Sequence, residues 1–254
     1  SERRALSYKS AMDANTETSK PSRLAQFRLA TAFLTRLPAE KILTDEDAFD
    51  ADTSPDPMAA HGHLASAMWL FPLVGFGIGG TGAIVLGLLT WIGTPTAVAA
   101  TLSVGTMILL TGALHEDGLA DIADGFGGGK DKASKLRIMR DSRIGTYGVV
   151  AVAIVLIAKI TALSAIAEWD VGAAAAVLIA ATTWSRALFA PTMRWLSPAR
   201  PDGLGAGAGT PSEGTSWLGL ILAFALCALV LLTPAGFGVI PILAAGGFAA
   251  FIVG

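Results

Sequence analysis

The sequence contains little charge for its length. Only 15% of its 254 residues are Asp, Glu, Lys or Arg, whereas a soluble domain carries about 25%. No charged residue occurs from Leu64 to Leu114, or from Gly214 to Gly254. Because a membrane span needs about 20 apolar residues, each uncharged stretch is long enough for two spans. The sequence therefore excludes an ordinary soluble enzyme and predicts an all-α, polytopic membrane bundle.

Cysteine and excess positive charge are also scarce. The single cysteine, Cys227, lies within an apolar run, which excludes a disulfide framework and a cysteine metal cluster. The formal net charge of −2 leaves no positive excess for binding nucleic acid. We therefore expect the lipid bilayer as the surroundings of the protein and no nucleic-acid partner.

The apolar stretches predict about six spans in a single membrane-embedded domain over residues 23–254. Residues 1–22 are polar and of mixed charge, which predicts a disordered tail. The segment Arg23–Pro38 has apolar residues at helical spacing between three arginines, which predicts an amphipathic or re-entrant helix. The first span is rich in glycine, which indicates close helix packing or a kink. The expected spans are Met68–Ile92, Ala97–Leu114, Val149–Ala167, Val171–Ala190, Trp217–Leu232 and Phe237–Val253.

A charged segment at residues 115–148 interrupts the apolar stretches, and six acidic and six basic residues lie within it. Asp117, Asp121 and Asp124 stand at positions i, i+4 and i+7, so a helix places them on one face. Crowded carboxylates repel each other, and a hard divalent cation such as Mg²⁺ or Mn²⁺ removes that cost. Glu116 lies off this face, next to the first ligand. Because Mg²⁺ is usually held by a few carboxylates and substrate phosphates, the pattern predicts a phosphorylated substrate.

The basic half of the segment supplies groups that bind phosphate. Arg137, Arg140 and Arg143 are spaced by three, on or near one helical face, and arginine forks match phosphate oxygens. Lys130 follows three consecutive glycines at residues 127–129, whose flexible backbone lets N–H groups approach a phosphate. The alternatives are a solvated acidic loop and a plain cytoplasmic arginine anchor.

Other polar residues are weaker candidates. His115 adjoins the acidic cluster and is expected either to cap the helix or to support the site. Lys159 interrupts an apolar stretch, where it snorkels or pairs within the bundle. His61 and His63 have no partner motif, so an exposed loop is the expectation for them.

Several segments resemble the cobalamin synthase family, the adenosylcobinamide-GDP ribazoletransferases. The most specific is HEDGLADIADG at residues 115–125, followed by RDSRIGTYG at residues 140–148. Four further motifs match in order: FLTRLP at 33–38, FPLVG at 71–75, WSRAL at 184–188 and SPARPDGLGAG at 197–207. The family also has a Gly-Gly-x-Thr-Gly-Asp motif near its carboxyl end, which these residues lack. The resemblance therefore implies a chain that is shortened there or that continues past Gly254.

The resemblance implies a transferase of cobalamin nucleotide-loop assembly in the bacterial inner membrane, with its charged segment facing the cytoplasm. The ribose 3′-hydroxyl of α-ribazole or its 5′-phosphate would attack the pyrophosphate of adenosylcobinamide-GDP beside the cobinamide, and GMP would leave. Mg²⁺ is the implied cofactor. Its implied ligands, and the implied catalytic residues, are Glu116, Asp117, Asp121 and Asp124, with Glu116 or Asp124 taking the proton.

The resemblance also implies roles for other residues of the segment and beyond it. Arg140 and Arg143 would bind the phosphates, with Lys130, Arg137, Arg186 and Arg200 as further candidates. Asp141 would be another metal ligand or would hold an arginine. The expected hydrogen-bond donors are Ser142, Thr146 and Tyr147.

Two other functions compete with this one. A CDP-alcohol phosphatidyltransferase also places aspartates on membrane helices, but its motif has Ala-Arg where this sequence has Asp121-Ile122. An ion-coupled transporter would show repeated halves and isolated charges at mid-membrane. This sequence shows no such repeat, and its charges gather at one expected membrane edge.

Overall fold

The computed structural model describes residues 21–37, 64–201 and 203–231. Within these ranges all regular structure is helical, which confirms the all-α membrane bundle. We number the helices α1 (Arg23–Leu34), α2 (Phe71–Trp91), α3 (Thr96–Thr111), α4 (Leu114–Gly128), α5 (Lys132–Ile138), α6 (Thr146–Trp169), α7 (Val171–Ala187), α8 (Phe189–Trp195), α9 (Leu204–Gly207) and α10 (Glu213–Leu231).

Four helical segments are long and apolar enough to cross a bilayer. They are Leu64–Trp91, Thr146–Trp169, Val171–Trp195 and Glu213–Val230, and each matches one predicted span. The first includes a 3₁₀ turn at Met68–Leu70 before α2. The predicted span Phe237–Val253, the tail at 1–20 and the two histidines of the 61–63 loop lie outside the described residues.

The predicted span Ala97–Leu114 needs a correction. Helix α3 has 16 residues and ends at Thr111, and the chain then turns by 88° into α4. The turn is made by Gly112 and Ala113, which have left-handed φ angles of 63° and 59°. Left-handed backbone is costly for alanine, so sequence periodicity gave no sign of the break. The bent pair α3–α4 counts as one broken span or as a re-entrant segment.

Helices α2 and α7 make the most extensive contact among the described helices, and glycines permit it. A Cβ atom added to Gly75 would lie 2.5 Å from the carbonyl oxygen of Thr182, and one added to Gly79 would overlap the Thr182 side chain. By contrast, a Cβ atom on Gly77 or Gly80 would meet open space. The glycine-rich sequence therefore predicted close packing correctly, and the structure identifies the face that uses it.

Helix α1 packs against the start of α2. Ser22 caps α1, since its hydroxyl accepts a hydrogen bond from the backbone N–H of Ala25 at 3.1 Å. The Phe33 ring stacks on Phe71 with 5.8 Å between centroids. Helix α1 has 12 residues, which are too few to cross a bilayer. The short segment with its arginines predicted this.

Candidate active site

Helix α4 carries the acidic residues, and it lies antiparallel along the first half of α6. At the carboxyl end of α4, Asp124 contacts the first turn of α6. At its amino end, Glu116 pairs with Lys159, 13 residues into α6 from Thr146. Thirteen residues of α-helix correspond to about 20 Å. The acidic helix therefore extends from the start of α6 to its middle.

Asp124 caps α6. Its two carboxylate oxygens accept hydrogen bonds from the backbone N–H groups of Gly145 at 2.6 Å and Gly148 at 2.8 Å. The side chain is buried, and a Cβ atom on either glycine would collide with its carboxylate. Both glycines are therefore needed for this approach. A carboxylate at a helix amino terminus is favoured by the free N–H groups and by the helix dipole.

Asp117 and Asp121 lie one turn apart on the more open side of α4. Asp117 is exposed and Asp121 is half-buried. Neither carboxylate forms a hydrogen bond or an ion pair with another described residue. Asp121 is within electrostatic range of Asp117, Asp124 and Arg200. One guanidinium nitrogen of Arg200 is buried without a hydrogen-bond partner in the described part of the chain. We call the side of α4 that carries these three aspartates the acidic face. The exposure of its side chains decreases along the helix: Asp117 is exposed, Asp121 is half-buried and Asp124 is buried.

The acidic face is the expected magnesium site. Among the residues that the structure describes, no three His, Cys, Asp or Glu side chains lie close enough to hold a metal ion. The described residues therefore form no all-protein cage. Asp117 and Asp121 do fit the commoner arrangement, in which one or two carboxylates hold Mg²⁺ together with phosphate oxygens of a substrate.

A second polar cluster lies at the amino end of α4, where this helix meets α6 and α7. Glu116 Oε1 lies 3.5 Å from Lys159 Nζ, and both residues lie near His115. Arg186 of α7 lies within electrostatic range of Glu116 and His115. His115 does not cap α4, because the N-cap residue is Ala113 and no side chain bonds to this end. Its ring instead packs edge-on against Phe189, with 6.0 Å between centroids.

This second cluster closes one end of a cavity of about 430 Å³ inside the bundle. The walls come from α2, α3, α6 and α7 and are apolar, with Ile78, Met107, Leu163 and Leu178 among them. We call this space the bundle cavity. Sequence reasoning gave no signal for it, since its wall residues are spread over about a hundred positions of apolar helix.

The arginines of the basic half do not share a helical face, which corrects the prediction. Helix α5 ends at Ile138, so Arg137 lies on it whereas Arg140 and Arg143 lie on the loop before α6. All three are exposed. Helix α5 is short because it is stabilised only locally: Asp131 and Ser134 form a capping box, and none of its residues is buried.

Asp141 holds an arginine, one of its two expected roles. Its carboxylate accepts hydrogen bonds from Arg143 Nε at 3.0 Å and from a terminal guanidinium nitrogen at 2.6 Å. These bonds lower the pKa of Asp141 to about 2 and raise the pKa of Arg143. Because the pair is exposed, a phosphate can still compete for the guanidinium.

The three glycines at residues 127–129 are not a flexible loop, contrary to the prediction. Gly127 and Gly128 belong to the last turn of α4, and Gly129 ends it by donating its N–H to the Gly125 carbonyl at 3.0 Å. A Cβ atom on Gly127 would overlap the ring of Tyr147. The glycines therefore allow α4 and α6 to approach. Lys130 follows them and is exposed.

The remaining predicted residues lie near this junction. Ser142 is exposed on the loop before α6, and Thr146 and Tyr147 form the exposed first turn of α6. The structure thus brings α4, the end of the loop over 139–145 and the start of α6 together. It places Arg186 elsewhere, beside Glu116 at the bundle cavity.

Comparison with known proteins gives one consistent family. Residues 26–254 match the family model described as cobalamin-5-phosphate synthase. No solved structure matches the chain significantly.

Curated relatives agree with this match. A protein named adenosylcobinamide-GDP ribazoletransferase from Bradyrhizobium diazoefficiens is 43% identical over 216 residues, which cover 85% of this chain and 75% of the relative. Relatives of the same name from Azorhizobium caulinodans and Rhizobium etli are each 40% identical, over 85% of this chain and 77% of their own.

Proposed function

The chain belongs to the cobalamin-5-phosphate synthase family, and we propose that it is an adenosylcobinamide-GDP ribazoletransferase. It joins the activated corrinoid to α-ribazole or α-ribazole 5′-phosphate, and it releases GMP. The family and the names of the relatives support this activity. The acidic face of α4 and the arginines near it supply the chemistry that the reaction needs.

The observation that carries the proposal is the pairing of open carboxylates with a nearby guanidinium. Asp117 and Asp121 are free to hold a cation within the described part of the chain, and Arg200 lies near Asp121. A pyrophosphate needs its charge neutralised before it can be attacked, and positioned cations and arginines supply that neutralisation. Bound at Asp117 and Asp121, Mg²⁺ would neutralise the pyrophosphate oxygens.

The transfer is a single displacement at phosphorus. The ribazole 3′-oxygen forms a bond to the phosphorus on the cobinamide side, and the bond from that phosphorus to the bridging oxygen breaks. The bridging oxygen leaves with GMP. Arg140, Arg143 and Arg200 bind phosphate oxygens of the donor through bidentate guanidinium contacts.

We assign Glu116 as the base that removes the proton from the attacking hydroxyl. Of the four acidic side chains on α4, Glu116 lines the bundle cavity, whereas both oxygens of Asp124 are engaged by α6. Hydrogen bonds to a carboxylate stabilise its charged form and make it a weaker base. Asp124 accepts two such bonds, at 2.6 and 2.8 Å, whereas Glu116 has one long contact of 3.5 Å with Lys159. Asp124 is therefore a positioning residue, which fixes α4 against α6.

The same proposal places the protein in the bacterial inner membrane, with residues 115–148 facing the cytoplasm. The six Lys and Arg residues of this segment agree with the excess of positive charge in cytoplasmic loops. A cysteine introduced at Ser142, in a protein whose Cys227 is replaced by Ala, should react with an impermeant maleimide only after cells are opened. Labelling of intact spheroplasts would contradict this orientation.

The experiment that tests the function measures GMP released by the purified protein in liposomes. With adenosylcobinamide-GDP, α-ribazole 5′-phosphate and Mg²⁺, we expect GMP and a corrinoid product in equal amounts. Omitting the acceptor or adding EDTA should stop the release of both. GMP released without acceptor would indicate a hydrolase, and uptake of a substrate without any GMP would indicate a transporter.

A further inference from the structure

The bundle cavity combines apolar walls with a polar end at which three side-chain nitrogen atoms are unsatisfied in the described residues. Both ring nitrogens of His115 and Nε of Arg186 are buried without a hydrogen-bond partner in the described residues. Both residues line the cavity, beside the Glu116–Lys159 pair. Buried polar groups without a partner are costly, so the arrangement indicates a ligand that satisfies them.

The size and the charge of the cavity limit what can enter it. Its volume of about 430 Å³ is within the usual range for small-ligand pockets, and a corrin macrocycle with its side chains is too large for it. Glu116, Lys159 and Arg186 together give the polar end one net positive charge. The ligand is therefore a small molecule with a largely apolar body and an anionic or hydrogen-bonding end.

From these observations we infer that the bundle cavity binds the acceptor, with its benzimidazole base between the helices and its ribose phosphate at the polar end. This inference rests on the proposed function, because ribazole enters through it. A benzimidazole is flat and largely apolar, which suits walls formed by Met107, Leu163 and Leu178. The corrinoid donor remains outside, at the open face of Asp117 and Asp121.

The polar end explains how the acceptor is oriented. Arg186 donates to the 5′-phosphate, and His115 is available to a ribose hydroxyl or a phosphate oxygen. The ribose then lies beside Glu116, the residue that we assign as the base for the hydroxyl proton. Since Asp117 follows Glu116 directly on α4, acceptor and donor meet at neighbouring positions of this helix.

The first test narrows the cavity and measures binding of the acceptor by equilibrium dialysis. Ala162 lines the cavity with its small side chain exposed to it. The Ala162→Phe variant should raise the Kd of α-ribazole 5′-phosphate at least about tenfold, as expected when a pocket is filled. Ala153 lies nine residues earlier on the opposite, exposed face of α6. The matched variant Ala153→Phe should leave the Kd unchanged, and Ala162→Val is the milder variant if Phe is not tolerated.

The second test separates the phosphate from the base. The Arg186→Gln variant should weaken binding of α-ribazole 5′-phosphate about tenfold, the usual loss for one charged hydrogen bond. It should leave the Kd of unphosphorylated α-ribazole within about twofold. Equal losses for both acceptors would contradict the assigned orientation.

These measurements distinguish failure of the inference from failure of the proposed function. If wild-type protein releases GMP but both Ala162 variants bind the acceptor normally, the cavity is not the acceptor site. Loss of a co-purifying phospholipid from Ala162→Phe, with unchanged acceptor binding, would assign the cavity to a lipid and would overturn the inference. If no GMP is released yet acceptor binding depends on Ala162, the cavity assignment stands and the proposed transfer fails.

Discussion

Replacing Asp124 with Ala should strongly destabilise the protein, because the substitution removes the cap of α6. The N–H of Gly148 would lose its acceptor in a buried site, and the N–H of Gly145 would lose its acceptor in a partly buried one. Each buried donor left without a partner costs about 1–3 kcal/mol, so the total loss is about 2–6 kcal/mol. Asp124→Asn keeps one acceptor oxygen and places an amide against the second N–H, so its loss should lie between wild type and Ala.

The lone cysteine provides the assay. Cys227 is buried, 4% exposed, and its thiol should react with a fluorogenic maleimide only when the bundle opens. For a chain of this size, each kcal/mol shifts the unfolding midpoint by about 2–4 °C, so Asp124→Ala should lower the apparent Tm by about 4–24 °C. The variants and the wild type are compared in thermal scans at one heating rate, because membrane proteins often unfold irreversibly.

Asp131→Ala is the matched control, since it also removes a helix-capping carboxylate, at the exposed start of α5. Its effect on the Tm should be much smaller, because water can replace the lost bond. An Asp124→Ala protein with a Tm within about 1 °C of wild type would refute the assignment of Asp124 as the cap.

Three further predictions concern packing, catalysis and pH. Gly79→Val should lower the apparent Tm, because it forces α2 and α7 apart, whereas Gly80→Val should leave it unchanged since that position faces open space. Asp121→Asn should reduce the rate of GMP release about 100-fold or more without a comparable loss of Tm, as expected for a metal ligand; a rate within fivefold of wild type would contradict this role. The pKa of Asp141 lies at about 2 because Arg143 bonds to it. The Asp141–Arg143 pair is therefore present above pH 4 and is lost only as the pH falls through 2. A pH–rate profile of Asp141→Asn whose shape differs from that of wild type between pH 5 and 9 would contradict this.

The elements that sequence predicted well depend on neighbouring residues alone. The apolar stretches give four of the spans, because the bilayer requires length and apolarity and little else. The i, i+4, i+7 spacing gives the acidic helix α4 for the same reason, since helical periodicity is local. Asp117 and Asp121 therefore lie where the pattern placed them.

The elements that sequence missed depend on residues far apart in the chain. The bend after α3 requires a left-handed Ala113, which no periodic pattern predicts. The cap formed by Asp124 requires the amino end of α6, more than twenty residues later. Residue spacing placed three arginines on one face, whereas α5 ends at Ile138, before Arg140 and Arg143. The cavity end joins α4, α6 and α7, so only the fold shows that Glu116, Lys159 and Arg186 meet.

Tracing the phosphorus of the donor tests the central claim most directly. Adenosylcobinamide-GDP is labelled with ³²P at the phosphate next to the cobinamide and is turned over once with α-ribazole 5′-phosphate and Mg²⁺. The account predicts that the label appears in the corrinoid product, that the GMP is unlabelled, and that Asp121→Asn slows both products together. Label in the released nucleotide, or in free phosphate, would contradict attack of the ribazole hydroxyl on the cobinamide-side phosphorus.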